Sequence, residues 1–278
     1  MLIIKTIEEL KDVLFRIRSN GKSVGFVPTM GALHEGHLSL MRRAKAETEV
    51  VVCSIFVNPV QFNNKNDLVN YPRDIDLDLL MIENLVDLAF VPSQEEIYPE
   101  PPKEQFSFGS LENVMEGASR PGHFNGVAII INRFFEWICP DKAYFGEKDF
   151  QQLVIIQKLV KDYDIHTQII SCPIVREENG LAMSSRNKRL SEHEFGIAGN
   201  INRILQESLK LIHQPVKQIK SFVVSEIGRI PEFKLDYFEI VDDKTLQSAE
   251  KLDDCEGVVG CIALFLGPIR LIDNVRYK

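Results

Sequence analysis

Apolar and polar positions alternate in blocks over the first two-thirds of the chain. Largely apolar, β-branched runs predict four strands, over residues 24–27, 50–57, 88–91 and 166–172. Helical patterns lie between these runs, over residues 37–47, 75–85 and 150–161. Strands that alternate with helices predict an α/β fold, a doubly wound parallel sheet with helices on both faces.

The pattern changes near a polar turn at residues 177–180. Beyond this turn the sequence predicts two helices and then two strands, over residues 201–212, 216–227, 235–241 and 260–266. We therefore predict two domains: a Rossmann-like α/β domain over residues 1–178 and a smaller α+β domain over residues 179–278.

Composition and charge exclude several classes of function. The 278 residues are 45% hydrophobic, and the formal net charge of −8 argues against a nucleic-acid-binding protein, which needs a basic surface. No apolar run approaches the ~20 residues of a membrane span. The five cysteines are widely spaced and contain no CxxC pair, which favours reduced, mostly buried thiols and a cytoplasmic location.

Residues 28–37 read Pro-Thr-Met-Gly-Ala-Leu-His-Glu-Gly-His and join a predicted strand to a predicted helix, where a doubly wound sheet places its ligand crevice. Gly31 and Gly36 allow a ligand close to the backbone, and free amides at the start of the helix suit a phosphate. His34 and His37 can donate hydrogen bonds to phosphate oxygens. A zinc half-site is the alternative, but the four other histidines stand in unrelated contexts, so the segment favours nucleotide binding.

Two further segments carry polar side chains that suit a small substrate. Asn58 and Gln61 lie in a turn after the strand predicted over residues 50–57, and a carboxamide that both donates and accepts suits a hydroxy acid. Arg120 stands among small and rigid residues, which makes it a candidate for binding an anion or shaping the pocket wall.

Two more segments carry groups that suit a nucleotide. Gly146 marks the end of a strand, and Lys148-Asp149 opens a helix, where Asp149 is either a ligand contact or only an N-cap. Residues 183–187, Met-Ser-Ser-Arg-Asn, offer two hydroxyls and a guanidinium that can bind triphosphate oxygens.

These segments resemble the motifs of a known enzyme family. His34-x-Gly-His37 is similar to the HxGH signature of the nucleotidyltransferase superfamily, and the whole of residues 28–37 resembles the signature of pantothenate synthetases in particular. The resemblance continues in family order at residues 54–62, 71–73, 120–127, 145–153, 183–187 and 270–274. The family usually has threonine where this chain has Ile129.

The resemblance implies a homodimeric, ATP- and Mg²⁺-dependent ligase of pantothenate biosynthesis. In such enzymes pantoate attacks the α-phosphate of ATP, which gives pantoyl adenylate and pyrophosphate, and β-alanine then takes the acyl group and releases AMP. The C-terminal domain is expected to act as a lid that shields the adenylate from water. The expected partners are these small molecules, with no nucleic acid and no membrane.

The resemblance also implies roles for particular residues. Catalytic roles at the phosphates fall to His34, His37, Lys148 and Arg186. ATP binding is assigned to Met30, Gly31, Ala32, Leu33, His34, Glu35, Gly36, His37, Gly146, Glu147, Lys148, Asp149, Val175, Met183, Ser184, Ser185 and Arg186. Substrate binding is assigned to Asn58, Gln61, Arg120 and Gln152. No residue is assigned as a metal ligand, although Asp78 could hold Mg²⁺ through water.

Two rival functions fit part of the sequence: a nucleotidyltransferase acting on a phosphorylated small molecule such as phosphopantetheine, and a nucleotide-sensing or metal-binding protein without catalysis. A calcium loop at Asp74, Asp76 and Asp78 is disfavoured because Leu79 replaces the turn glycine. These aspartates are instead predicted to lie on an exposed helix face, and the proline-containing segment 98–105 is predicted to be a loop.

Overall fold

The computed structural model describes residues 1–278, apart from the side chain of Lys65. Strands β1 to β9 span Leu2–Ile4, Val24–Thr29, Val50–Ile55, Leu88–Phe90, Lys142–Gly146, Gln168–Cys172, Phe233–Asp242, Val258–Leu266 and Ile269–Arg276. Helices α1 to α11 span Ile7–Ser19, Glu35–Glu47, Lys65–Val69, Ile75–Ile82, Gln94–Ile97, Met115–Ser119, His123–Ile138, Phe150–Asp162, Glu192–Ala198, Asn200–Ser208 and Val216–Gly228. Short 3₁₀ turns span Pro59–Gln61, Gly109–Glu112, Glu147–Asp149, Ser185–Arg189, Leu209–Leu211 and Leu252–Asp254.

The first six strands form one sheet in the order β1-β4-β3-β2-β5-β6, and all neighbouring pairs run parallel. From β2 the chain adds β3 and β4 on one side and then returns to add β5 and β6 on the other. The direction of winding therefore reverses between β2 and β5, which are neighbours in the sheet. The predicted doubly wound parallel α/β fold is confirmed.

Successive side chains of the central strands face opposite layers of helices. On one face, Val27 and Val51 belong to a buried cluster with Met41 of α2. On the other face, the ring of Phe26 packs edge-on against Phe134 of α7, with ring centroids 5.6 Å apart. The apolar strands are thus buried on both sides, as their nearly continuous hydrophobic sequence indicates.

The sequence pattern does not predict α7, the 16-residue helix His123–Ile138. Its polar residues Asn125, Asn132, Arg133 and Glu136 form only a narrow stripe, and residues 127–131 are an apolar run that includes the β-branched side chains typical of a strand. Helix α1 and strands β1 and β9 are also missing from the prediction. The strands and helices that the pattern does predict are present, with ends displaced by a few residues. Residues 98–105 form no regular structure, as expected.

The C-terminal residues form an antiparallel sheet in the order β7-β8-β9, which gives the α+β part of the predicted fold. The inner face of this sheet carries Ile240, Ile262 and Leu271, which share a buried cluster with Ile204 of α10 and Ile219 of α11. These apolar positions recur at the helical period on the two helices, which explains why the sequence predicts both of them.

By compactness the chain divides into two units. The first contains Met1–Phe108, Arg120–Glu147 and Ile155–Pro173, and the second contains Gly109–Ser119, Lys148–Val154 and Ile174–Lys278. The division into domains over residues 1–178 and 179–278 stays a prediction. Among the described residues, no helix combines the length and the apolar character that crossing a bilayer requires.

Within the second unit, the segment Gly109–Ser119 is held by a largely buried ion pair. Arg270 donates to both carboxylate oxygens of Glu116 over 2.7 and 2.8 Å, and the Tyr237 hydroxyl donates to the same carboxylate over 2.9 Å. Burial and the neighbouring carboxylate raise the pKa of Tyr237, so its phenol remains a donor at neutral pH. The segment is therefore fastened to the C-terminal sheet, although it precedes α7 in the chain.

Candidate active site

The carboxyl ends of β2 and β5 lie side by side where the winding of the sheet reverses. Open α/β sheets bind their ligands at this topological switch point. The histidine-containing segment begins at Pro28 in β2, and Gly146 is the last residue of β5. Two segments that the sequence singles out thus border one edge of one sheet, within the first unit.

The turn after β2 is held by hydrogen bonds to a buried carboxylate, that of Asp78. The backbone amides of Ala32 and Leu33 donate to the two oxygens of Asp78 over 2.8 and 2.7 Å. Ala32 has a φ of +49°, a strained conformation for a residue with a side chain. A Cβ at Gly31, whose φ is +76°, would lie 2.8 Å from Asp78 Oδ2. Gly31 is therefore required by both the backbone conformation and the contact.

Asp78 corrects the prediction that the three aspartates of this region are exposed. Asp74 and Asp76 are exposed, but Asp78 is 1% exposed and faces the turn. The sequence pattern misses this because a single carboxylate among helical residues reads as solvated unless its backbone partners are known. Those partners lie 45 and 46 residues away along the chain.

Helix α2 begins with the two histidines, and His34 is its N-cap. The Gly36 amide donates to Nδ1 of His34 over 3.2 Å, so in the neutral ring the proton sits on Nε2. The rings of His34 and His37 lie 4.0 Å apart between centroids. Two adjacent imidazoles, one with a defined Nε2–H donor, suit an anionic ligand such as a phosphate.

The backbone amides of this segment are less available than the sequence suggests. Ala32 and Leu33 donate to Asp78, Gly36 donates to His34, and the His37 amide donates to the His34 carbonyl over 2.8 Å. A phosphate at this helix must therefore rely more on side chains than on free amides. Glu35 is exposed and forms an ion pair with Arg42, which lowers the pKa of its carboxyl through the hydrogen bond.

The 3₁₀ turn Pro59–Gln61 carries the predicted substrate-binding amides of the first unit. Asn58 and Gln61 are both buried, and Asn58 Nδ2 lies 3.1 Å from Gln61 Oε1. Nε2 of Gln61 lies 3.0 Å from Sδ of Met30, and Nδ1 of His123 lies 2.8 Å from the Gln61 carbonyl. The turn is thus held between the segment after β2 and the start of α7. Arg120, which also precedes α7, is half-buried.

Gly126 of α7 sets how closely this turn can pack. A Cβ there would lie 2.6 Å from the Val60 carbonyl oxygen and 2.7 Å from Gln61 Cα, both backbone atoms. We expect Gly126→Ala to push the turn away, lower stability by about 1–3 kcal/mol and raise the KM of the small substrate that the turn is predicted to bind. Thermal unfolding and this KM measure the two effects.

Gly196→Ala is the matched control, because no described atom lies within 4 Å of a Cβ built at this helical glycine. It should be neutral or slightly stabilising, since alanine favours helix over glycine. A Gly126→Ala protein as stable as the unsubstituted one would show that the close packing is not required.

At the end of β5, Gly146 faces open space, with no described atom within 4 Å of a built Cβ. The backbone there is open to close approach by a ligand. Glu147, the next residue, accepts a hydrogen bond from the Ser171 hydroxyl at the end of β6. Its carboxylate therefore also serves to join the ends of two neighbouring strands.

Lys148 and Gln152 belong to the second unit, in the segment Lys148–Val154. The carbonyl of Lys148 accepts a hydrogen bond from Asn274 Nδ2 over 3.1 Å, and its ammonium lies 3.7 Å from Asp149 Oδ2. Gln151 is buried and donates to carbonyls of the segment Gly109–Ser119. The backbone on which Lys148 and the half-buried Gln152 stand is thus anchored on both sides.

The other predicted phosphate-binding segment of the second unit is a structured loop. The carbonyl of Val175 accepts from the Met183 amide over 3.0 Å. Ser184 caps the 3₁₀ turn Ser185–Arg189 by accepting from the Arg186 amide over 3.3 Å. Ser185 is buried and Arg186 is half-buried. The Ser184 hydroxyl has a structural role that the sequence does not predict, and its proton is still available for a ligand.

A family model described as pantoate-beta-alanine ligase matches residues 2–276 of this sequence. The chain belongs to the pantoate–β-alanine ligase family. The pantothenate synthetase of Bacteroides thetaiotaomicron is 51% identical over 280 residues, covering 100% of this chain and 99% of the relative. The predicted family, the ligase activity and its place in pantothenate biosynthesis are confirmed.

Solved structures agree with this ligase in fold. The crystal structure of pantothenate synthetase from Thermus thermophilus matches with a TM-score of 0.94 at 40% identity, covering 100% of both chains. The crystal structure of pantoate-beta-alanine ligase from Francisella tularensis, complexed with beta-gamma ATP and beta-alanine, matches with a TM-score of 0.84 at 36% identity. That match covers 100% of this chain and 98% of the other.

Four residues of this ligase support predicted site residues within their own unit, a role that the sequence does not assign to them. Asp78 supports the turn after β2, Tyr98 and His123 contact the Asn58–Gln61 turn, and Asn274 holds the backbone of Lys148. Asn274 and His123 lie in segments that resemble family motifs, residues 270–274 and 120–127. Asp78 and Tyr98 act through partners 40 or more residues away, so their sequence neighbours do not indicate this role.

Proposed function

We propose that this chain joins pantoate to β-alanine with ATP, through a pantoyl-adenylate intermediate. The observation that carries the proposal is that β2 and β5 are neighbours at the switch point of the sheet. The histidine-containing turn after β2 and the open Gly146 backbone at the end of β5 therefore lie at the same edge of the sheet. A nucleotide placed there would meet two imidazoles and an accessible strand end.

In the first step, the pantoate carboxylate attacks the α-phosphorus of ATP, and the bond to the bridging oxygen of pyrophosphate breaks. Both reactants are anions, so the site must supply positive charge and hold them in line. We assign this role to His34, His37, Lys148 and Arg186, with His37 at the phosphates and available to protonate the leaving group. The β-alanine amine then attacks the acyl carbon, and AMP leaves.

The other assigned residues divide between the two ligands. Asn58, Gln61, Arg120 and Gln152 are proposed to hold pantoate. ATP is proposed to contact Met30, Gly31, Ala32, Leu33, Glu35, Gly36, Gly146, Glu147, Asp149, Val175, Met183, Ser184 and Ser185 in addition to His34, His37, Lys148 and Arg186. The Asp149 side chain is 52% exposed beside Lys148, which suits its carboxylate to a ribose hydroxyl.

Magnesium is proposed to enter with ATP. No group of three or more His, Cys, Asp or Glu residues in the described part of the chain could hold a metal ion. Both oxygens of Asp78 accept backbone amides, so its main role is structural. The donor set fits Mg²⁺ held chiefly by phosphate oxygens and water, where it neutralises negative charge on the triphosphate.

The decisive experiment uses pantoate labelled with heavy oxygen in its carboxylate. With ATP and β-alanine present, we expect pantothenate, pyrophosphate and AMP in equal amounts, and one labelled oxygen in each AMP. Label that stays wholly in pantothenate would exclude the acyl adenylate.

Omitting substrates separates the rival functions. Without β-alanine, this enzyme should release about one pyrophosphate per site and then stop, because the adenylate is retained. Pyrophosphate release that needs phosphopantetheine instead of pantoate would favour the other nucleotidyltransferase. ATP binding without any release would favour a non-catalytic sensor. The homodimer, the lid role of the C-terminal domain and the cytoplasmic location stay predictions.

A further inference from the structure

The amide of Asn58 has a defined orientation within the first unit. Its Nδ2 donates over 3.0 Å to the Gly126 carbonyl, which can only accept. Its Oδ1 accepts from the Val60 amide over 3.4 Å and from the Tyr98 hydroxyl over 2.8 Å. Exchanging the oxygen and nitrogen of Asn58 would place an amide N–H group against the Val60 N–H and an oxygen against the Gly126 carbonyl. The 1% exposed side chain therefore has one workable orientation.

The orientation of Asn58 determines that of Gln61. The same Nδ2 group donates to Gln61 Oε1 over 3.1 Å, so the Gln61 oxygen must face Asn58. Nε2 of Gln61 then points towards Sδ of Met30, 3.0 Å away. A thioether is a weak acceptor, so this buried amide group can give its hydrogens to a stronger one.

Tyr98 is held as a permanent donor at the start of this chain of hydrogen bonds. Burial raises the pKa of its phenol, so it is protonated at neutral pH. The guanidinium of Arg133 lies 4.8 Å from the ring centroid and is itself bound to the Ile97 carbonyl and to Glu104. The tyrosine stands at the beginning of the 98–105 segment, to which the sequence assigns no role beyond a loop.

We propose that Tyr98 and Asn58 form a relay that fixes Gln61 as a hydrogen-bond donor towards pantoate. Gln61 then recognises an acceptor oxygen of the substrate, a carboxylate or a hydroxyl oxygen, through Nε2, while its Oε1 is directed to Asn58. Tyr98 acts as a positioning residue, and Asn58, whose two amide hydrogens are both donated within the protein, contributes to pantoate binding by orienting Gln61. This inference rests on the proposed function, because it concerns the residue assigned to pantoate.

Two substitutions of Gln61 with similar length test the polarity. In Gln61→Met the amide is replaced by an apolar group, whereas in Gln61→Glu one oxygen still accepts from Asn58 and the other replaces the donor. If Gln61 is a donor, Gln61→Glu should raise the pantoate KM about 10- to 100-fold above that of Gln61→Met, because two oxygens would then face each other. The ATP KM should change little in both.

A pantoate KM for Gln61→Glu equal to or below that of Gln61→Met would overturn the donor assignment. Thermal unfolding of both variants shows whether either has lost its fold. Since burial raises the pKa of a carboxyl group, lowering the pH should protonate Glu at this position and partly restore a donor. The pantoate KM of Gln61→Glu should therefore fall at acid pH relative to that of Gln61→Met.

Tyr98→Phe tests the relay. Removing one neutral hydrogen bond should raise the pantoate KM about 3- to 10-fold, with little change in the ATP KM. In a Gln61→Met background the same substitution should have almost no further effect, because the group that Tyr98 orients is gone. A full, additive effect in that background would make Tyr98 merely structural and would overturn the relay.

Tyr144→Phe is the matched control. Tyr144 is also buried in the first unit, and its hydroxyl donates to Glu47 over 3.2 Å. Loss of this hydroxyl should leave the pantoate KM unchanged.

Failure of the relay and failure of the proposed function give different results. If the unsubstituted protein makes no pantothenate, the proposed function fails. If it makes pantothenate and Gln61→Glu behaves like Gln61→Met, only the relay fails.

Discussion

Replacing Lys148 by alanine is expected to slow pantothenate formation by about 10²–10³-fold. The ammonium is proposed to meet negative charge that develops on the phosphates during attack, and such an interaction is stronger in the transition state than in the ground state. The side chain is 19% exposed and has a carboxylate, Asp149, 3.7 Å away. The loss should therefore appear mainly in kcat, measured by AMP release at saturating substrates.

Lys158→Ala is the control for this prediction. Lys158 lies on α8, is 38% exposed and pairs with Asp162 over 2.8 Å. Removing it deletes a lysine and an ion pair without touching the proposed site, so turnover should stay normal. Lys148→Arg, which retains the charge, should lose less than Lys148→Ala. Near-normal pyrophosphate release by Lys148→Ala would remove Lys148 from the mechanism.

Asp78→Ala is expected to destabilise the protein by about 2–6 kcal/mol, because two buried amides lose their acceptors at about 1–3 kcal/mol each. These amides belong to Ala32 and Leu33, so the left-handed conformation at Ala32 loses its support. For a chain of this size the loss corresponds to roughly 5–20 °C in Tm. Catalytic efficiency should fall as well, since the turn leads directly into His34.

Asp76→Ala, on the same helix, provides the matched comparison. Asp76 is exposed, so its removal should change Tm little. Asp78→Asn retains one acceptor and sets an amide group against the second N–H, so its Tm should lie between those of the unsubstituted protein and Asp78→Ala. Equal Tm values for the two alanine variants would show that the carboxylate does not hold the turn.

The predicted elements and the observed ones differ for identifiable reasons. Helices α10 and α11 are amphipathic, and their apolar period is readable without any partner. Helix α7 has only a narrow polar stripe, and its apolar run over residues 127–131 carries β-branched side chains that are equally typical of a strand. Its Phe134 and Gly126 are explained only by what they contact.

In the candidate site, too, some features follow from local sequence and others only from contacts between distant residues. Local spacing is enough to place His34 and His37 after a strand and at the start of a helix, because a strand–turn–helix junction is a short-range feature. Spacing does not show that Asp78 occupies the amides of this turn, nor that Asn58 is oriented by Tyr98, 40 residues away. Whether a backbone or side-chain amide can donate to a ligand depends on such distant partners.

The sequence by itself determined the family, the doubly wound sheet and the segments that carry the chemistry, because hydrophobic period and motif spacing are local properties of the chain. The tertiary structure decided which polar groups are occupied, which way the Gln61 amide faces and why Gly31 and Gly126 must lack a side chain. Each of these depends on atoms that folding brings within a few ångströms of one another, and the sequence pattern does not show which distant residues come into contact.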